Sequence, residues 1–272
     1  MKNVIGQDKL CEELSKIFNI FKLSNSEIRP HFILTGSSGS GKSYTIKQLA
    51  EDLNLNFLEI NAAQLTKEGT SGNSLSKALS PLLQNGQTQT IVFVDEFDKL
   101  FVSGNSNSYL AHETTNGVQN EFLKVLESDE TSVFGDYGKY ITASTKNVLF
   151  VFAGAFNGEK NINLDRLREL GLKTEFLGRV GLVYNTKTLS LDNLYTILDN
   201  STLLNSYLEL FEDSKKEDVL EVIKAYLKKN YELNTIGARM VNTLINQYFI
   251  KGGKLEEEKV KDITFQTKLT LN

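Results

Sequence analysis

HFILTGSSGSGKSY, residues 31–44, is the stretch from which the rest of this chain can be read. A short apolar run, Phe32-Ile33-Leu34, leads into Gly36-Ser37-Ser38-Gly39-Ser40-Gly41-Lys42-Ser43, and a helical pattern begins with Tyr44 in its first turn. This is G-x-x-x-x-G-K-[ST] with a strand before it and a helix after it, the context the motif requires. The glycines let the backbone curl so that successive N–H groups face phosphate oxygens. The helix that starts at Lys42 adds its N-terminal partial positive charge. In this pattern Lys42 reaches the β- and γ-phosphates and the Ser43 hydroxyl ligates Mg²⁺. A Gly/Ser-rich linker with a stray lysine would share the composition, but not the flanking elements.

Outward from this loop, the next landmark is Thr90-Ile-Val-Phe-Val-Asp95-Glu96, a solid apolar run that ends in two acids. Such a strand belongs in the middle of a parallel sheet covered on both faces. Asn56–Ala62, Asn147–Phe152 and Arg179–Asn185 are further strands. Helical spacing covers 8–23, Leu75–Gln84, Gly117–Glu127 and Leu164–Leu170, and Thr131–Thr142 forms a hairpin around Gly135-Asp-Tyr-Gly138. The alternation specifies an α/β fold with a doubly wound parallel sheet, in which ligands bind beyond the carboxyl ends of the strands. Gly36–Ser43 and Asp95-Glu96 both lie at such ends, so they can meet. Asp95 can then hold Mg²⁺ opposite Ser43, and Glu96 can polarise a water for in-line attack on a γ-phosphate. The plainer alternative is that the acids cap the next helix, a role open to Asp98 as well. The adjacent Asp-Glu pair favours ATP hydrolysis, and no Asn-Lys-x-Asp guanine-reading motif is evident.

After Thr188 the texture changes to four helical patterns, Leu191–Leu198, Leu203–Phe211, Glu217–Lys229 and Ile236–Phe249, with a short strand expected over Ile263–Leu271. Two domains are expected: residues 1–187 as the nucleotide-binding domain and 188–272 as a small helical one. The 272 residues are 40% hydrophobic and 24% charged, as in a globular protein with a full core. A net charge of −4 and a pI near 5.4 carry no sequence-wide basic footprint, so nucleic acid is not the expected partner. The single cysteine, Cys11, fits a reducing compartment. The N-terminus has no apolar signal core and no 18-residue apolar run occurs, so the expected setting is cytoplasmic, without a membrane.

With these motifs in place, the chain resembles an AAA+ ATPase, closest to the ClpX/HslU branch of protein unfoldases. The resemblance runs through Val4-Ile-Gly-Gln7, the Walker A loop Gly36–Ser43, Walker B at Ile91–Asp98 and Gly117-Val-Gln-Asn-Glu-Phe-Leu-Lys124. It continues in Leu149–Phe156, Glu175-Phe-Leu-Gly-Arg179 and Ile236-Gly-Ala-Arg239. The last two segments, at their proper distances, are more specific than the Walker motifs. The resemblance implies that Val4 and Ile5 pack on the adenine. It makes Arg179 an arginine finger acting on a neighbouring subunit, and so implies a homohexamer or related ring or spiral. It makes Arg239 the sensor-2 arginine, touching the phosphates from the small domain, and offers Asn157 for sensor 1. ATP and Mg²⁺ are the implied cofactors.

Three departures separate this chain from the unfoldases it resembles. The pore-loop position reads Gly69-Thr70-Ser71-Gly72, without the aromatic that grips polypeptide; Tyr109 or Tyr137 could replace it. Between Phe156 and Leu164 the protease-docking loop has no counterpart. A zinc-binding adaptor domain before the ATPase core is expected to be absent. The expectation is therefore a ring-forming, protein-remodelling ATPase that acts on a protein substrate without a ClpP-type peptidase. The alternatives are a nucleotide-controlled assembly scaffold and a DNA loader or motor.

Overall fold

A period of two along each strand accounts for the central sheet. In β3 (Thr90–Asp95) Val92 and Val94 enter one core while Ile91 and Phe93 enter another. β6 (Val148–Gly154) divides in the same way, with Val148, Phe150 and Phe152 opposed to Leu149, Val151 and Ala153. β1 (Phe32–Thr35) sends Ile33 to the first core and Phe32 and Leu34 to the second. Both faces are covered, so between their end residues these strands are apolar instead of alternating with polar residues. With β2 (Asn56–Asn61) and β7 (Leu182–Asn185) they make a five-stranded parallel sheet in the order β2-β3-β6-β1-β7. The pairings Thr35↔Gly154, Thr35↔Asn185 and Asn61↔Asp95 bring the carboxyl ends to one edge.

The computed structural model describes residues 4–67, 72–85, 88–101, 109–135 and 138–255. One face of the sheet is covered by α1 (Asp8–Leu23) and α2 (Lys42–Asp52) through Leu14, Phe18, Phe21, Ile46 and Leu49. The other is covered by α5 (Tyr109–Glu127), α6 (Leu164–Glu169) and α7 (Thr174–Val180) through Val118, Phe122, Leu167 and Phe176. The winding on both faces is the one the alternating sequence specifies. The expected hairpin is present, with β4 (Glu130–Phe134) antiparallel to β5 (Tyr140–Ser144). Among the described residues no helix is long and apolar enough to cross a membrane.

Several boundaries differ from the sequence reading. The helix expected over Leu75–Gln84 is two short ones, α3 (Leu75–Ala78) and α4 (Leu82–Asn85). Pro81 has no N–H to give and disfavours helical geometry at Ser80, so the pattern breaks there. Arg179–Val180 belongs to the last turn of α7, not to the strand expected from Arg179. Gly181, in a left-handed conformation, stops the helix and releases β7. α5 begins at Tyr109, earlier than the expected Gly117.

Four helices follow the sheet: α8 (Leu191–Asp199), α9 (Thr202–Leu210), α10 (Lys216–Asn230) and α11 (Arg239–Ile250). α8 starts with a reciprocal cap in which Ser190 and Asn193 exchange side-chain and backbone bonds. Leu194, Leu198, Leu204, Val219, Ile223, Leu227, Leu244 and Ile245 form a core that contains no residue of the sheet. α11 begins at Arg239 and not at Ile236, because Gly237 adopts a positive φ just before it. The expected strand over Ile263–Leu271, residues 69–71 of the pore-loop position and Tyr137 lie outside the described residues, as does the side chain of Tyr109.

Candidate active site

β1 ends at Thr35, whose hydroxyl donates to Asn185 Oδ1 at 2.7 Å at the end of β7. The chain then turns through residues 36–41 into α2. Lys42 folds back into this loop, its Nζ donating to the carbonyls of Gly36 at 2.6 Å and Ser37 at 3.2 Å. The side chain is buried. Burial pushes its ammonium below the ordinary lysine value; Asp95 and Asp98 pull it back up, and Arg239 opposes them. A buried cation held mainly by carbonyl dipoles at a helix start is poised for the negative charge of a polyphosphate.

Asp95, at the end of β3, faces this loop. Ser43 Oγ donates to Asp95 Oδ2 at 3.5 Å, and Asp95 Oδ1 accepts the Glu96 N–H at 2.8 Å. A hydroxyl and a carboxylate side by side are hard oxygen donors of the kind that hold Mg²⁺. Glu96 is exposed and sits in the left-handed region with φ 54° and ψ 28°. That conformation costs a non-glycine residue about 1–3 kcal/mol and turns its carboxylate off the line of the strand. Beneath it, Phe97 packs at 4.7 Å from Phe152 and 5.1 Å from Phe176 between ring centroids, so an apolar floor lies under the acids.

The helical region reaches the loop from another direction. The Ala238 N–H donates to the Gly39 carbonyl at 3.0 Å, and Arg239 Nη1 donates to Ser38 Oγ at 3.0 Å. A Cβ on Gly39 would lie 1.9 Å from the Ile236 carbonyl oxygen, so only glycine allows the two backbones to meet. On the far side Gln7, 2% exposed, donates to the carbonyls of Ser40 at 3.2 Å and Lys187 at 2.7 Å and accepts the Lys187 N–H at 2.9 Å. Thr186 adds a hydroxyl bond to Ser40 Oγ at 2.8 Å. A cavity of about 290 Å³ opens beside Gly36 and Ser37, between residues 158–161 and 185–188.

The structure thus brings Gly36, Ser37, Ser38, Gly39, Ser40, Gly41, Lys42, Ser43, Asp95 and Arg239 together. Tyr44 follows, half exposed at 52% on α2, and Val4 and Ile5 are half-buried in the segment leading to Gln7. Arg179 is not part of this group: at the end of α7 it is exposed and pairs with Glu127 at 3.3 Å. Asn157 is exposed in the turn Phe156–Gly158 with φ 55°, and among the described residues no hydrogen bond ties it to the loop. Gln7, Asp98, Asn185 and Thr186 hold the site, although the sequence offered Asp98 only a capping role and the other three none. Gln7 and Asp98 both lie inside quoted motifs. Asn185 and Thr186 left no signal, since their part is set by where β7 ends.

A family model described as the ATPase family associated with various cellular activities (AAA) matches residues 32–167. The ATP-dependent Clp protease ATP-binding subunit ClpX of Bacteroides thetaiotaomicron is 27% identical over 296 residues, covering 89% of this chain and 72% of that protein. Its counterpart from Bacteroides fragilis is likewise 27% identical, over 89% of this chain and 71% of its own length.

Proposed function

The chain belongs to the ATPase family associated with various cellular activities and hydrolyses ATP, and from that premise we propose a ring-forming, protein-remodelling ATPase that works without a ClpP-type peptidase. Lys42 and the loop amides bind the β- and γ-phosphates; Val4 and Ile5 pack on the adenine. Ser43 and Asp95 hold Mg²⁺, which when bound offsets charge on the phosphate oxygens. Glu96 takes the proton of the attacking water. Arg239 contacts the phosphates from the same chain, and Arg179 supplies the finger to a neighbour. The division falls after residue 187, a reading supported by the separate core that runs from Leu189 to Phe249.

The observation that carries the reading away from proteolysis is the short passage from β6 to α6. After Gly154 the chain makes the turn Phe156–Gly158 and enters α6 at Leu164. The ClpX relatives are ATP-binding subunits of a protease, and the docking loop expected at this point has no counterpart in the sequence. The decisive experiment combines the purified protein, ATP, a ClpP-type peptidase and a folded substrate. The expected result is ATP turnover without degradation; degradation overturns the proposal. A second reading, a nucleotide-switched scaffold, draws on Thr70 and Ser71 at the pore-loop position. Thr70→Tyr separates the two, because a scaffold does not respond to pore chemistry.

A further inference from the structure

Asp98 is a carboxylate at 1% exposure, and the proposed hydrolytic chemistry does not use it. Its oxygens accept two successive amides from the end of β6: Ala155 N–H at 3.3 Å on Oδ1 and Phe156 N–H at 3.1 Å on Oδ2. The exposed Lys99 ammonium lies 3.8 Å from Oδ2. Sequestering a charged group this fully is costly unless its oxygens are bonded, and amide donors to a carboxylate make strong bonds. The approach is close enough that a Cβ on Gly154 would lie 2.7 Å from Asp98 Oδ1. The same stretch of β6 receives the Gly36 N–H on the Gly154 carbonyl at 3.2 Å. Asp98 therefore ties the turn after β3 to a point already joined to the phosphate loop.

That turn contains Glu96. Its strained left-handed conformation is held on one side by Asp95 Oδ1, bonded to the Glu96 N–H, and on the other by the Lys99 N–H donating to the Glu96 carbonyl at 3.0 Å. A residue in this region of φ/ψ stays there only where its surroundings over-determine it. The turn Phe97–Leu100 supplies those surroundings, and Asp98 is its buried anchor.

We propose that Asp98 is a positioning residue for hydrolysis, its carboxylate clamping the turn after Glu96 onto the Ala155–Phe156 amides so that the catalytic carboxylate keeps its geometry. This inference rests on the assignment of Glu96 as the base. Asp98→Asn keeps the shape but places an NH₂ group against one of the two amide donors, and Asp98→Ala removes both bonds. Misplacement of a catalytic group by about 1 Å costs on the order of 10²-fold in rate. Turnover per nucleotide-binding site in Asp98→Asn should therefore fall roughly 10- to 100-fold, with ATP affinity by calorimetry within about threefold of the parent. Turnover within twofold of the parent, or affinity falling in step with turnover, overturns the inference. Should Asp98→Ala not fold, Asp98→Asn alone carries the test, with thermal unfolding checking that its fold is retained. Glu96→Gln, measured alongside, separates the two levels: normal turnover there removes the assignment of the base, whereas unchanged turnover confined to Asp98→Asn removes only the role of Asp98.

Discussion

In the proposed chemistry, single side chains divide the work between holding phosphate and activating water. Lys42 is buried with its ammonium on the Gly36 and Ser37 carbonyls, so its charge is under-compensated until an anion arrives. Lys42→Ala should raise the dissociation constant for ATP at least 100-fold, about 3 kcal/mol by the usual conversion, as measured by calorimetry. Glu96→Gln keeps the size of the side chain but not its basicity. It should leave ATP affinity within a few-fold and lower turnover roughly 10²- to 10⁴-fold; a smaller loss would move the base elsewhere. Both residues are candidates from the sequence alone, because G-x-x-x-x-G-K-S and an apolar run ending in Asp-Glu are local patterns with a local cause. Asp98 was not assigned its role. Three acids in Asp95-Glu96-Phe-Asp98 look alike as letters, and only the third is sealed from water by the end of β6.

Elements set where those side chains stand. The rings of Phe97, Phe152 and Phe176 pack within 5.1 Å of one another and join the turn after β3, β6 and α7. Glu96 and Arg179, far apart on the chain, are thus mounted on one apolar block. Arg179 leaves that block outward and, among the described residues, is held only by Glu127 through an exposed ion pair of little energetic value. Arg179→Ala should therefore leave stability within about 0.5 kcal/mol. As a finger acting on a neighbour, it should lose roughly 10³-fold or more in turnover while ATP affinity is kept. Mixing this variant with Glu96→Gln should restore measurable turnover, since some shared sites then contain both intact groups. Unaltered turnover by Arg179→Ala alone would remove the argument for a ring. The strands were readable from their apolar runs, but the end of α7 was not. Arg179 to Asn185 has a strand's composition, and the change from helix to strand depends on the backbone conformation of Gly181.

At the scale of the whole molecule, two cores back the sheet and a third lies among the last four helices. His31 joins the start of β1 to β6: its Nδ1 accepts the Phe150 N–H at 3.0 Å, and burial lowers its pKa from 6.5 to about 4. The folded protein therefore resists a proton that the unfolded chain accepts. Stability is unaffected above pH 6.5 and falls as the pH drops from 6.5 towards 4, by up to about 3 kcal/mol. Urea midpoints across that range should show the decline, and His31→Gln should flatten it; an unchanged slope in the variant would assign the decline to other groups. The doubly wound architecture was evident from the alternation of strands and helices. Of the contact between the last helices and the phosphate loop only the part at Arg239 was open to expectation; the close backbone approach of Gly39 and Gly237 was not, because there is no side chain to read. That seam has a kinetic consequence. Parting the two glycines exchanges the Ala238–Gly39 hydrogen bond, and the exposed Arg239–Ser38 bond beside it, for bonds to water. The Ala238 amide should then exchange with solvent deuterium faster than amides inside α11, and bound ATP should slow it, giving a one-atom clock for how often the loop and the helices separate.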